Sequence, residues 1–188
     1  MILISVLAVV LLIVDQISKI LIATHFNFEV VRNPLEGIPV INNLLYFSYS
    51  TNDGAAFGML GGESWSRWFF IVVTVIVCVA FIVWLIKQPQ KNVWLKVSSA
   101  MMLSGAVGNL IDRVFIGVVR DFIYVNIPFA TFNFADSCLV VGTIIMAIYI
   151  LFIHEKHVAG IKQSCVDADQ TKDDAVTVVD NSDDNDEI

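Results

Sequence analysis

The sequence predicts a helical membrane protein in which four transmembrane helices carry a small extracytoplasmic sheet. Three observations predict it. Of the 188 residues, 57% are hydrophobic and 15% charged, whereas soluble domains are roughly 45–50% apolar. The excess is gathered into four runs, at about 2–23, 68–86, 93–111 and 134–153. Each is close to the roughly 20 residues that a helix needs to cross a bilayer. Between the first two runs lies an aromatic, β-like stretch, Asn42 to Gly58, whose Asn52-Asp53-Gly54 is a turn signal.

In lipid the backbone must satisfy its own hydrogen bonds, so the four runs are read as helices. The first has no basic segment before it and no A-x-A site, and Asp15 and Lys19 interrupt its far end. It is therefore expected to stay as a span and not to be removed as a signal peptide. The region 24–64 is too long for a turn and is read as the sheet. The connection between the second and third runs carries Lys87, Lys91 and Lys96 with no acid, and Lys156 and Lys162 follow the fourth. Lysine-rich short connections stay in the cytoplasm, which places both termini there. Residues 160–188 hold nine acidic residues against Lys162 and Lys172, a balance equal to the whole chain's formal charge of −7. The body, 1–159, is thus neutral, and 160–188 reads as an acidic disordered cytoplasmic tail. Cys78, Cys138 and Cys165 form no C-x-x-C pair, so neither a disulfide framework nor a zinc site is expected.

Alternating spans bring the polar residues to one face of the bundle. Asp15, Lys19, Asn52, Asp53, Asn109, Asp112, Arg113, Asp121, Asn133 and Asp136 all fall there, and the opposite half has almost no ionisable group within its spans. Ionisable residues at membrane depth are functional candidates. Asp15 and Lys19 are four apart on one helix face. They are either an interfacial pair with Lys19 snorkelling outward or a buried pair that anchors a site. In "GAVGNLIDR", Gly105 and Gly108 leave room for a helix or a ligand, and Asn109, Asp112 and Arg113 share a side. Asp112 beside Arg113 reads as a structural salt bridge at a helix end that positions Asn109. Asp136 falls in the first turn of the fourth run, where a negative charge is favoured, and Asp121 in the loop before it. Each is either an isolated carboxylate or one half of a pair. Paired carboxyls share a proton, so that one activates water and the other protonates a carbonyl oxygen.

Other chemistries are poorly supported. His154 and His157 form an H-x-x-H without a third ligand, and His25 stands apart. No G-x-S-x-G, H-E-x-x-H or phosphate loop occurs, and no basic patch suits nucleic acid. A proton-coupled transporter using Asp15, Asp112 and Asp136 as a relay would need polar residues through the cytoplasmic half, where the sequence has almost none.

"DQISK", "NDGAAFG", "GAVGNLIDR", "VVRDF" and "FNFADS" occur in this order between the spans. Together they resemble lipoprotein signal peptidase (signal peptidase II), an aspartyl peptidase family of the bacterial cytoplasmic membrane, over residues 2–153. The resemblance implies four helices with an extracytoplasmic β-cradle. It also implies removal of the signal peptide from diacylglyceryl-modified prolipoproteins before the lipidated cysteine, without metal or cofactor. The catalytic pair would be Asp121 and Asp136. Substrate would be held by Asp15, Lys19, Asn52, Gly54, Asn109, Arg113 and Asn133, with Asp112 structural. Gly54, Ala55, Ala56, Gly105 and Gly108 would leave space for substrate, and the segment 61–66 with the β-region would close over it. The partners expected are lipid-modified prolipoproteins and membrane lipid, not nucleic acid, and the chain is expected to be a monomer. One departure is Arg120 beside Asp121. A cation there should favour the ionised carboxylate, unless it points to solvent. The tail extends past the family core and is given no catalytic role.

Overall fold

The computed structural model of the chain describes residues 2–54, 65–88, 92–126 and 131–154. Helix α1 (Ile2–His25) leads through a short 3-10 turn at Pro34–Glu36 to strands β1 (Ile38–Ile41) and β2 (Leu45–Asn52). Helices α2 (Ser66–Lys87) and α3 (Val93–Phe115) follow, then strand β3 (Val119–Val125) and helix α4 (Phe134–Ile148), which continues into a π-helical turn at Tyr149–His154. The chain divides into two units, Met1–Met146 and Ala147–Ile188, and every polar residue discussed below belongs to the first. Ala55, Ala56, the segment 61–64, His157, Cys165 and the tail 160–188 lie outside the described residues.

The helices are apolar outside, and α1 and α3 carry buried polar residues inside. Along α1, Val6, Val10, Ile13, Ile17 and Leu21 are exposed while Asp15 and Lys19 are buried. On α2 the exposed large hydrophobic residues are valines, isoleucines and aromatics. Among the described residues, three helices are long and apolar enough to cross a membrane: Ile4–His25, Ser66–Lys87 and Phe134–Phe152. The expected third run is a helix of 23 residues, α3, but its inner face carries Ser98, Ser99, Ser104, Asn109 and Asp112, all buried. It packs against both α1 and α2. Its start is capped by Asn92, whose side chain accepts from Trp94 N at 2.8 Å. Its end is held by Arg67 of α2, which donates to the carbonyls of Arg113 and Val114 at 2.8 Å each. Carbonyls in a helix's last turn have no partner within the helix, so this clamp satisfies them and joins α2 to α3.

Gly105 and Gly108 let neighbours approach α3. A Cβ at Gly105 would collide with the Ala135 carbonyl and lie 2.8 Å from Leu139 Cγ of α4, and one at Gly108 would lie 2.6 Å from Asp15 Oδ2 of α1. The space expected there for substrate is filled by the protein itself.

The sheet has the order β1-β2-β3 and is antiparallel throughout. β3 corrects the sequence reading, which put Asp121 in a loop. The run Val118 to Val125 is β-branched and aromatic apart from Arg120 and Asp121, a strand composition. Its partner, β2, lies two helices earlier in the chain, with Ser50 opposite Asp121 and Thr51 opposite Arg120. Phe132 then pairs with Ile123, which ties the start of α4 to β3.

Gly105→Ala is expected to destabilise the protein by about 1–3 kcal/mol through overpacking, measured by thermal unfolding in detergent. Ile13→Ala, at a position 50% exposed on the outer face of α1, should change stability far less.

Candidate active site

The site is built in two layers. The lower one is a closed set of charges. Lys19 is 0% exposed and Asp15 and Asp112 are 1% and 0% exposed. Lys19 Nζ lies 3.0 Å from Asp15 Oδ2, one turn earlier on α1, and 3.3 Å from Asp112 Oδ2 of α3. Arg120 of β3 reaches Asp112 from the other side, with NH2 2.6 Å from Oδ1, Nε 3.3 Å from Oδ2 and the backbone N–H donating to Oδ2 at 3.0 Å. Gln16 closes the ring: its Oε1 accepts from Arg120 NH2 at 3.0 Å, and its Nε2 donates to Asp15 Oδ2 at 3.0 Å and to the Gly108 carbonyl at 3.2 Å. Two anions and two cations cancel. Asp15 Oδ1 also accepts from Ala135 N at 2.9 Å, in the first turn of α4.

The upper layer holds the two aspartates through amides. Lys19 donates to Asn109 Oδ1 at 3.0 Å, and Asn109 Nδ2 donates to Asp136 Oδ1 at 2.7 Å. Asn133 donates through Nδ2 to Asp121 Oδ1 at 2.7 Å and through its backbone N–H to Asp136 Oδ2 at 3.2 Å. One asparagine thus touches both carboxylates. Asn133 also donates to Asn109 Oδ1 at 3.1 Å and accepts from Asp136 N at 2.9 Å. The Asn52 side chain hydrogen-bonds Asp121 and accepts from Gly54 N at 2.9 Å. Arg113 donates to the Gly54 carbonyl at 3.0 Å, lies over the Phe70 ring, and interacts with the charges of both aspartates.

The carboxylates differ in setting. Asp136 is half-buried at the start of α4, whereas Asp121 is 4% exposed. Burial and the neighbouring Asp136 push Asp121 from 3.8 up to about 7, against the pull of Asn133, Lys19 and Asn52. Near neutral pH Asp121 can therefore hold a proton beside a second carboxyl, as acid–base chemistry requires.

The catalytic, substrate-binding and structural residues expected from the resemblance lie together here: Asp15, Lys19, Asn52, Gly54, Asn109, Asp112, Arg113, Asp121, Asn133 and Asp136. Of the two readings of Asp15 and Lys19, the buried pair is the one observed, because both layers of the site engage Lys19. Two details differ from expectation. Asp112 pairs with Lys19 and Arg120 and not with its neighbour Arg113. Arg120 turns neither to Asp121 nor to solvent but into the buried charges. Gln16 was missed altogether; a glutamine beside Asp15 carries no signal until α3 and β3 are placed against it. Among the described residues, no cluster of three His, Cys, Asp or Glu side chains could hold a metal ion.

A family model described as "Signal peptidase (SPase) II" matches residues 7–152. The chain belongs to the signal peptidase II family. It is an aspartic peptidase, as that family is. A lipoprotein signal peptidase of Acinetobacter baumannii is 40% identical over 156 residues, covering 81% of this chain and 83% of the relative. One from Pseudomonas fluorescens is 38% identical over 148 residues, covering 76% and 84%. A solved bacterial membrane enzyme superposes with a TM-score of 0.69 at 36% identity, covering 79% of this chain and 87% of that one. The signal peptidase II fold in this chain is therefore that of a membrane enzyme with a small three-stranded sheet.

Removing one partner from a buried charge network is costly because the other is left uncompensated. Lys19→Met is expected to lose about 3–5 kcal/mol in detergent unfolding. A loss below about 1 kcal/mol, the range of an exposed pair, would show that water already solvates the ammonium.

Proposed function

We propose that this chain removes the signal peptide from diacylglyceryl-modified prolipoproteins, cutting before the lipidated cysteine, with Asp121 and Asp136 as the general acid and base. The observation that carries the reading is the sharing of Asn133 between the two carboxylates. The relatives' name, lipoprotein signal peptidase, supplies the substrate class.

The surroundings assign the roles. Asp136 accepts from Asn109 and from the Asn133 backbone at the start of α4, where N–H donors and the helix dipole favour an anion. It is the base. Asp121, more deeply buried, keeps the shared proton. Asp136 takes a proton from water as the water oxygen attacks the scissile carbonyl carbon, and Asp121 gives its proton to the carbonyl oxygen. In the collapse, Asp121 recovers a proton from the diol, the C–N bond breaks, and Asp136 protonates the departing cysteine amine. No covalent intermediate forms. Asn52, Gly54 and Arg113 border the aspartates on the sheet side and are suited to hold the substrate backbone, whose amides need partners in a site of low polarity.

In this reading all four helices cross the bacterial inner membrane, α3 shielded by the other helices, with both termini in the cytoplasm. The aspartates then lie near the extracytoplasmic face. A substrate can keep its acyl chains in lipid while the scissile bond enters from the side. The chain acts as a monomer.

Asp121→Asn and Asp136→Asn are each expected to insert in the membrane and lose about 10²–10⁴-fold in prolipoprotein cleavage. Near-normal cleavage by either ends the assignment. For the unaltered enzyme, kcat/KM should fall as pH rises through about 7, where Asp121 gives up its proton. Stability carries the same signature. Between the ordinary value of 3.8 and about 7 the folded chain holds a proton that the unfolded chain releases, so stability falls as pH rises through that window. Asp121→Asn removes this cost. Its gain in Tm over the unaltered protein should be small at pH 4, grow towards pH 7 and then level off; a gain independent of pH would contradict the raised carboxyl.

A further inference from the structure

We infer that Arg120 is a positioning residue of the aspartate pair: by pairing with Asp112 and Gln16 it completes the buried charge balance, leaving Lys19 free to orient the amides that hold Asp121 and Asp136. This rests on the acid–base reading above.

Neighbouring residues of a strand point to opposite faces, so Arg120 and Asp121 are fixed by one backbone but look into different layers. Arg120 is 6% exposed, and its bonds go to Asp112 and to Gln16 Oε1. Lys19 is what depends on it. Asp112 Oδ2 takes three donors, from Arg120 N, Arg120 Nε and Lys19 Nζ, the last at 3.3 Å, longer than the 3.0 Å from Lys19 to Asp15. Without Arg120, two carboxylates would compete for one ammonium, which would be drawn from Asn109. An ammonium only donates. Its 3.0 Å bond to Asn109 Oδ1 therefore decides which end of that amide meets Asp136. The same oxygen accepts from Asn133 Nδ2, the group that also bonds Asp121. Arg120 thus reaches the aspartates through Asp112, Lys19 and the two asparagines.

The charge balance has a second consequence. Asp121 faces Asp136 from α4, Lys19 from α1, Arg113 from α3 and the uncharged Asn52 from β2, with Asp15 and Asp112 behind Lys19. Removing Arg120 leaves one unbalanced negative charge behind this group, which makes the proton on Asp121 harder to lose.

The test is kinetics and unfolding of the full-length enzyme in detergent with a diacylglyceryl-modified prolipoprotein. Arg120→Met should lower kcat about tenfold, a loss typical of slight misplacement, with KM little changed. It should also move the alkaline limb of kcat/KM up by about one pH unit. Arg120→Lys should return the limb to its original place while recovering only part of kcat, because it restores the charge without the planar fork. Gln16→Glu keeps the fork, adds a negative charge in place of the donor to Asp15 and the Gly108 carbonyl, and should move the limb in the same direction, which keeps the test open if Arg120→Met does not fold. A readout free of turnover comes from stability: the pH at which Asp121→Asn begins to gain Tm should rise in the Arg120→Met background. The proposal is overturned if the limb and the onset of that gain stay put in Arg120→Met and Gln16→Glu while only Tm falls. Near-normal cleavage by Asp121→Asn would instead refute the acid–base reading, and the stability readout would still decide the place of Arg120.

Discussion

Lys19 is the constraint on which the rest depends. Its ammonium is wholly buried in a chain whose outer surface is hydrocarbon, where an unpaired charge is very costly. Three acceptors meet it, from α1 and from two positions of α3. To bring them within about 3 Å, the two helices must lie in contact, and Gly108 makes that possible: a side chain there would strike Asp15. Helix packing and charge pairing are one requirement seen from two sides. A helix pair that slid apart would lose dispersion contacts and strand an ion at the same time.

The layering that follows separates two electrostatic tasks. The lower layer is neutral as a set, so it can be rigid and strongly bonded without imposing a net field. The upper layer carries the two aspartates and uses amides as connectors. Asparagine suits that position because it accepts on one side and donates on the other without charge of its own. Asn109 and Asn133 thus pass orientation from the ion network to the carboxylates. Deep burial of Asp121 keeps a proton near neutrality, at a cost in folding that the paired charges and the packed helices must offset.

The sheet adds what helices alone would not. β3 passes between the ends of α3 and α4, so Asp121 is carried by a backbone locked on both edges, to β2 and to the Phe132 bridge. A carboxylate on a free loop would move toward water and ionise. On this strand it stays buried, opposite Ser50 and bonded to the Asn52 side chain.

Much was legible in the sequence. Hydropathy located the helices within a few residues, because a run of about 20 apolar residues has few other uses. Ionisable residues gathered at one end of such runs pointed to a candidate site, because charges at membrane depth face the interior of the bundle and find partners there. The ordered motifs gave the family. Contact at long range was not legible. The strand at Val119–Val125 reads as a loop in the sequence because its partner precedes it by two helices, and Gly105 reads as room for either a helix or a ligand because nothing local says that α4 fills it. Asp112 was matched with the arginine beside it, yet its partners are Arg120 and Lys19. Periodicity along a chain tells which face a side chain takes; only the folded arrangement decides what stands opposite that face, and pairing energy at low dielectric is set by that neighbour.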